Sequence, residues 1–393
     1  MVMNMFEIQL MNKIAAVGTA CFSGDKYAVG DSFENPDAIM VRSASLHEMP
    51  FGDKLKAIAR AGAGVNNIPV EACAEKGIVV FNTPGANANA VKELVIAGLL
   101  LASRNIVDGI NWAKTLVNTD AADVAKQVEK GKAQFSGCEI EGKRLGVIGL
   151  GAIGAIVANA ARSLGMEVLG FDKFLTVDAA WSLSRGIKRA ENMEEIFKTC
   201  DYITVHVPST PETRGMFNRE SLAMMKDGAR LLNFSRADLA ISDDILAALE
   251  SGKLAKYVTD FPTAELVGAK SVIAIPHLGA STGESEDNCA VMAAHELIDF
   301  LECGNIKNSV NYPDVVLPHN GDYRICVFHK NVPSIISQIS AALSEASINI
   351  ENLLNRSKKE YAYTIVETLG QLPEDVKTKL SAIEGIIRIR IIH

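Results

Sequence analysis

Gly149, Gly151 and Gly154 stand in the spacing G-x-G-x-x-G, with Ala152 and Ile153 inside it. Placed between an apolar strand and a helix, such a run binds the pyrophosphate of a dinucleotide. The first glycine allows the tight turn, the second lets backbone approach the phosphates, and the third lets helix and strand pack closely. The helix that starts there adds free N–H groups and the positive end of its dipole. Asp172 closes the next apolar run, 18 residues beyond Gly154. A carboxylate there accepts hydrogen bonds from the adenosine ribose hydroxyls and repels a 2′-phosphate. NAD is therefore expected over NADP, with Lys173 beside Asp172 softening the discrimination.

A dehydrogenase built on this site needs a group to take the hydroxyl proton, a cation to hold a carboxylate and polarise the carbonyl, and a partner for the acid–base. Ligands of such folds lie outside the C-terminal ends of the strands. Arg236 follows the apolar run 229–235, Glu265 lies in the loop after 256–261, and His277 follows 271–276. Histidine, with an unperturbed pKa of about 6.5, both accepts and donates a proton near neutrality. A carboxylate bonded to it favours the imidazolium, and arginine offers a permanently charged fork matched to a carboxylate. Spacing alone does not decide this, because a histidine after a strand is often only a core or surface residue.

These residues need elements to hold them. A chain of 393 residues exceeds one core and implies two or three domains. The net charge of -8 opposes nucleic acid as main partner, since phosphates must be neutralised by Lys and Arg. A few local arginines can still bind a small anion. The longest purely apolar run, 94–102, is far short of the roughly 20 residues that span a bilayer, so no membrane is expected. The N-terminus lacks a basic segment and carries Glu7 in its apolar stretch, so a signal peptide is not expected. Seven scattered cysteines without C-x-x-C read as reduced thiols in a cytoplasmic protein with no metal site.

The first hundred residues alternate apolar runs (38–41, 57–58, 78–81) with helical patterns, the rhythm of a parallel α/β unit, and 91–104 reads as a long helix. Strands at 145–150, 166–172, 202–208, 229–235, 256–261 and 271–277 predict a doubly wound Rossmann domain over 105–278. A helix rich in Ala and Glu runs to about Cys303, and two prolines and an Asn-Gly make 311–321 a linker. From 322 to 393, strands at 323–329, 348–354, 360–368 and 386–392 with helices at 332–345 and 374–382 give a ferredoxin-like βαββαβ module. The fold class is α/β.

The segments 60–68 (RAGAGVNNI), 149–154, 206–215 (HVPSTPETRG), 233–237 (NFSRA), Asp260 with Glu265, and 276–282 (PHLGAST) resemble the D-2-hydroxyacid dehydrogenase family in order and spacing. The resemblance implies two Rossmann-like domains, a discontinuous substrate-binding domain of 1–104 and 279–310, and the NAD-binding domain of 105–278. It places the catalytic roles on Arg236, Glu265 and His277. His206, Val207, Pro208, Thr213, Ser235, Asp260, His277 and Gly279 join the glycine loop and Asp172 around NAD. Two positions depart from the family pattern: Ala237 replaces a glycine, and residues 260–266 read Asp-Phe-Pro-Thr-Ala-Glu-Leu instead of D-V-F-x-x-E-P.

The segment 39–45 (IMVRSAS) and Arg60 resemble those of family members that act on 3-phosphoglycerate. Arg42, Ser43 and Arg60 are then expected around a phosphate, a second anionic group beside the carboxylate held by Arg236, and the backbone of Ala63, Gly64 and Val65 cradles that carboxylate. The last module resembles an ACT domain, a fold attached to many enzymes of amino-acid biosynthesis. The resemblance implies a homodimer or homotetramer and L-serine as effector, held by His329, Asn331 and Asn349, although Pro333-Ser334 stands where the family has Pro-Gly. Alternatives within the family are hydroxypyruvate/glyoxylate reductase and a 2-hydroxyglutarate-forming dehydrogenase. From another class comes an NAD-sensing binding protein.

Overall fold

The computed structural model describes residues 5–373 and 375–393. The chain divides into two compact units, Ala88–Thr282 and, taken together, Met1–Asn87 with Gly283–His393.

The unit Ala88–Thr282 is built on a seven-stranded, wholly parallel sheet. Its spatial order is Val272–Ala274, Leu254–Thr259, Ala229–Asn233, Tyr202–Val205, Arg144–Ile148, Glu167–Phe171 and Lys188–Arg189. The order reverses between Arg144–Ile148 and Tyr202–Val205, and the glycine run, which follows Arg144–Ile148, lies at that switch. Central strands buried on both faces read as continuous apolar runs, which is why they were legible. The helix Ala88–Arg104 lies in this unit and packs Val91, Val95 and Leu99 into the same core as Leu145 and Val147.

The other unit holds two sheets. Five parallel strands stand in the order Tyr27–Gly30, Phe6–Met11, Ala38–Val41, Ala57–Arg60, Val79–Asn82, and the helix Gly283–Cys303 buries Ala293, Leu297 and Phe300 with this sheet's core. The N-terminal stretch weighed as a signal peptide is thus a strand from Phe6 on, with residues 1–4 outside the described residues. The second sheet is antiparallel in the order Ile350–Lys358, Tyr361–Thr368, Tyr323–Lys330, Ile386–Ile392. Helices Ile335–Glu345 and Val376–Ser381 cover one face through Ile339, Leu343 and Leu380. This is the ferredoxin-like module expected, its last helix starting past Glu374, which lies outside the described residues.

The segment expected as a linker is anchored. Asn311 accepts from Val80 N–H and donates to Ile78 C=O, each at 2.9 Å, and the Tyr312 hydroxyl donates to Ala74 C=O at 2.6 Å. Side chains that satisfy a neighbouring strand's backbone make a fixed strap out of a Pro- and Asn-rich stretch. Ser334 holds φ 69°, the left-handed region that glycine takes freely. No helix among the described residues is long and apolar enough to cross a membrane, and all seven cysteines are free.

Candidate active site

The glycine run closes as its spacing requires. Gly149 has φ +90°, and a Cβ on it would lie 2.6 Å from His206 O; a Cβ on Gly154 would lie 1.8 Å from Gly149 O. No atom stands within 4 Å of a Cβ position on Gly151, so backbone there faces open space. The helix Ala152–Ser163 begins at this point with no side-chain cap on Gly151, leaving its first N–H groups for a ligand. Asp172 accepts from Leu150 N–H and from Phe174 N–H, both at 2.7 Å. The carboxylate therefore also ties down the turn it was expected to serve.

Neighbouring strand ends carry the other residues expected around the cofactor. Thr213 Oγ1 donates to Pro208 C=O at 2.7 Å and accepts from Thr210 N–H at 2.8 Å, shaping the loop that carries His206, Val207 and Pro208. Ser235 Oγ donates to Val207 C=O at 2.8 Å, joining that loop to the next. His206 bonds Thr204 Oγ1 at 3.0 Å through Nε2, while Nδ1 is buried without a partner. Burial pushes His206 down to about 3, so it is neutral at any ordinary pH. Asp260 accepts from Gly279 N–H at 3.2 Å through Oδ2, and its Oδ1 is buried without a partner. Two orphaned polar atoms, at residues expected to hold the cofactor, fit a dinucleotide that would satisfy them.

The expected catalytic residues are exposed and stand at three strand ends. Asn233, fully buried, donates to Arg236 C=O at 2.8 Å and accepts from Ser235 N–H at 3.1 Å, which fixes the turn presenting the Arg236 side chain. His277 N–H donates to Asp260 C=O at 2.9 Å and to Ile275 C=O at 3.0 Å, its φ is 32°, and its ring lies 4.8 Å from that of Phe261. Burial raises the Asp260 carboxyl, while the Gly279 N–H bond and the nearby His277 and Arg236 oppose that rise, so these three side chains share this end of the sheet. Glu265 bonds Thr263, which with its own backbone holds the carboxyl below its usual range. No ion pair joins Glu265 to His277 among the described residues. The structure thus brings Arg236, His277 and Asp260 together and leaves Glu265 on its own loop. Sequence spacing does not single out Asn233 or Phe261, which hold this turn and ring; the only mark of Asn233 is a polar residue inside the apolar run 229–235.

The remaining expected substrate residues belong to the other unit. Arg42 pairs with Glu286 at 2.7 Å, so its charge is not surplus. Arg60 Nε donates to Arg42 C=O at 3.1 Å, and Arg60 forms no ion pair among the described residues. Burial first, and the like charge of Arg42, pull it down from its ordinary value. Ser43 and Ala44 N–H both donate to Asn12 Oδ1. Asn82 Nδ2 donates to Ala63 C=O at 2.6 Å, fixing the loop that runs on through Gly64 and Val65. In the ferredoxin-like module His329 is 2 % exposed, and its ring nitrogens bond Lys330 C=O at 2.8 Å and Thr364 Oγ1 at 2.9 Å. Asn331 and Asn349 are exposed, with their amides on Lys359 C=O and Glu351.

Residues 102–279 match the family described as D-isomer specific 2-hydroxyacid dehydrogenase, NAD binding domain. A D-3-phosphoglycerate dehydrogenase of Haemophilus influenzae is 32% identical over 352 residues, 86% of this chain and 82% of that one. The Homo sapiens D-3-phosphoglycerate dehydrogenase is 34% identical over 70% of this chain and 50% of its own length. Among solved structures, an NAD+-bound 3-phosphoglycerate dehydrogenase of Entamoeba histolytica superposes with TM-score 0.61 at 27% identity, covering 78% of this chain and 99% of that one. The chain belongs to the D-isomer specific 2-hydroxyacid dehydrogenase family, and its cofactor is NAD.

Proposed function

We propose that the protein oxidises 3-phospho-D-glycerate to 3-phosphohydroxypyruvate, the first step of L-serine biosynthesis, in the cytoplasm. The similarity to D-3-phosphoglycerate dehydrogenases over 86% of the chain supports the substrate. The observation that carries the reading is that Arg236 and Arg60 are guanidiniums without an ion-pair partner among the described residues. In this reading Arg236 takes the substrate carboxylate, the backbone of 63–65 steadies it, and Arg60 takes the phosphate. Arg42 and Ser43 hold the segment beside Arg60. His277 accepts the C2 hydroxyl proton as the carbonyl forms, and Glu265 and Asp260 favour the resulting imidazolium. NAD, when bound, supplies the two-electron acceptor, held by the glycine run, Asp172 and the 206–213 loop. NADH formation with 3-phosphoglycerate against D-lactate, D-glycerate and 2-hydroxyglutarate tests the reading. A kcat/KM higher for any of the other three replaces the substrate.

Two substitutions follow from the same geometry. Arg60→Ala is expected to raise KM for 3-phosphoglycerate by about 10-fold or more, the worth of a charge-assisted bond, with little effect on unphosphorylated D-glycerate. Equal effects on both would make Arg60 structural. Asp172→Ala removes the charge that repels a 2′-phosphate, so the ratio of NADP to NAD efficiency should rise, while lost ties to Leu150 and Phe174 N–H weaken NAD itself. Unchanged kinetics with both cofactors would take Asp172 off the ribose.

The C-terminal module is read as an ACT domain that pairs between protomers of a homodimer or homotetramer and inhibits on binding L-serine. Asn331 and Asn349 are the groups exposed to a ligand, and His329, buried with both nitrogens engaged, holds the strand end beside Asn331. The edge strand Ile350–Lys358 is bonded on one side only, which suits pairing with a second module. L-Serine is expected to inhibit turnover, and Asn349→Ala to relieve the inhibition. Inhibition that survives the substitution would move the effector elsewhere.

A further inference from the structure

The helix Gly283–Cys303 carries a carboxylate that the established chemistry does not use. Glu296 is 8% exposed. Asn308 Nδ2 donates to its Oε1 at 2.8 Å, while Oε2 is buried with no hydrogen-bond partner. A buried acceptor left without a donor is costly, and Glu296 lines a cavity of about 790 Å³. Val291 and Met292 form part of its apolar wall, which strengthens any polar contact made inside.

The charged groups around this cavity define what fits it. On the helix itself Asp287, His295 and Asp299 line it; from the segment that follows come Lys307, which lines it, and Asp314, whose charge reaches Glu296. The stretch around Gly85 and Ala86, and Val17 beyond it, bring no charge. Asp299 accepts from Asn305 at 2.9 Å, and Lys307 is exposed with no ion pair among the described residues. The described residues contain no group of three or more side chains able to hold a metal ion. An unmatched buried acceptor in a cavity that a second carboxylate also lines calls for a cationic N–H donor, and an unpaired lysine on the same rim calls for an anion.

We propose that this cavity binds a small zwitterion, its primary ammonium donating to Glu296 and Asp299 and its carboxylate drawn to Lys307. Burial raises Glu296 to about 8, against the bond from Asn308 and the charge of Lys307. It therefore carries a proton near neutrality, which an arriving ammonium displaces. Binding below that range should release on the order of one proton per ligand and strengthen roughly tenfold per pH unit.

The test is calorimetric titration of the full chain with glycine near neutral pH, in two buffers of different ionisation heat, beside ethanolamine and acetate. Glycine is expected to bind with proton release, and ethanolamine and acetate to bind at least tenfold more weakly. Glu296→Gln, of the same volume, should cost at least tenfold in affinity and flatten the pH slope. Lys307→Ala, on the surface and safe for folding, should weaken glycine towards the ethanolamine level. Asn349→Ala should leave glycine binding intact. No heat with glycine at tens of millimolar, binding indifferent to Lys307→Ala, or ethanolamine equal to glycine would overturn the proposal. So would binding lost in Asn349→Ala and kept in Glu296→Gln.

Discussion

His277→Asn is expected to lower kcat by about 10²–10⁴-fold, the contribution of a positioned general acid–base, with NADH affinity nearly unchanged. The backbone at His277 sits at φ 32°, towards the left-handed region that asparagine tolerates better than most residues. Its N–H bonds to Asp260 and Ile275 carbonyls do not depend on the side chain. Asparagine thus keeps the turn, keeps a polar group against Phe261 and removes only the titrating ring. The glycine run and Asp172 are held by contacts that do not involve His277, so the dinucleotide should bind as before. Stopped-flow turnover with 3-phosphoglycerate and fluorescence titration of NADH separate the two effects. Turnover within tenfold of wild type would remove His277 from the chemistry; a parallel loss of NADH affinity would make it a structural residue.

The parts of this protein that could be read in advance are those where one residue type is obligatory. Gly149 and Gly154 admit no Cβ, and central parallel strands must be apolar on both faces, so the glycine turn and most of the seven-stranded sheet were legible. Phe6–Met11 and Tyr27–Gly30 were not, because they lie at and next to a sheet edge with mixed burial and carry no unbroken apolar signal. Pairings between distant residues were equally hidden. Arg42 and Glu286 are 244 positions apart, and nothing local says that this arginine is already neutralised while Arg60 is not. Within the catalytic set, spacing could nominate Glu265, but its bond to Thr263 depends on how one loop folds. Ser334 shows the reverse case: a side chain stands where the family pattern has glycine, and the backbone there is left-handed, with φ 69°.

The largest stability effect should come from Arg324, whose side chain is fully buried in an ion pair with Glu367 at 2.6 Å. All five of its N–H donors are used. Nε and Nη2 donate to Glu367 Oε1 at 3.2 and 2.6 Å, Nη2 also to Leu317 C=O at 2.8 Å. Nη1 donates to Cys303 C=O at 2.6 Å and Asn305 Oδ1 at 3.2 Å. One guanidinium thereby stitches the strand Tyr323–Lys330 to the end of the helix Gly283–Cys303 and to the strap that follows it. Arg324→Met keeps most of the volume but strands a buried carboxylate and two carbonyls, so a loss of about 3–5 kcal/mol is expected. Lysine should rescue little, because three donors on a point charge cannot reproduce the planar fork. Burial alone would raise the Glu367 carboxyl, yet the bonds and charge of Arg324 hold it below its ordinary value. The stability this contributes is present above the usual glutamate range and lost as pH falls through the lowered pKa. The gap between wild type and Arg324→Met should therefore narrow in acid. Urea unfolding at neutral pH and near pH 4 measures both effects. A neutral-pH loss under about 1 kcal/mol, or a gap that widens in acid, would show that Arg324 does not hold the module through Glu367.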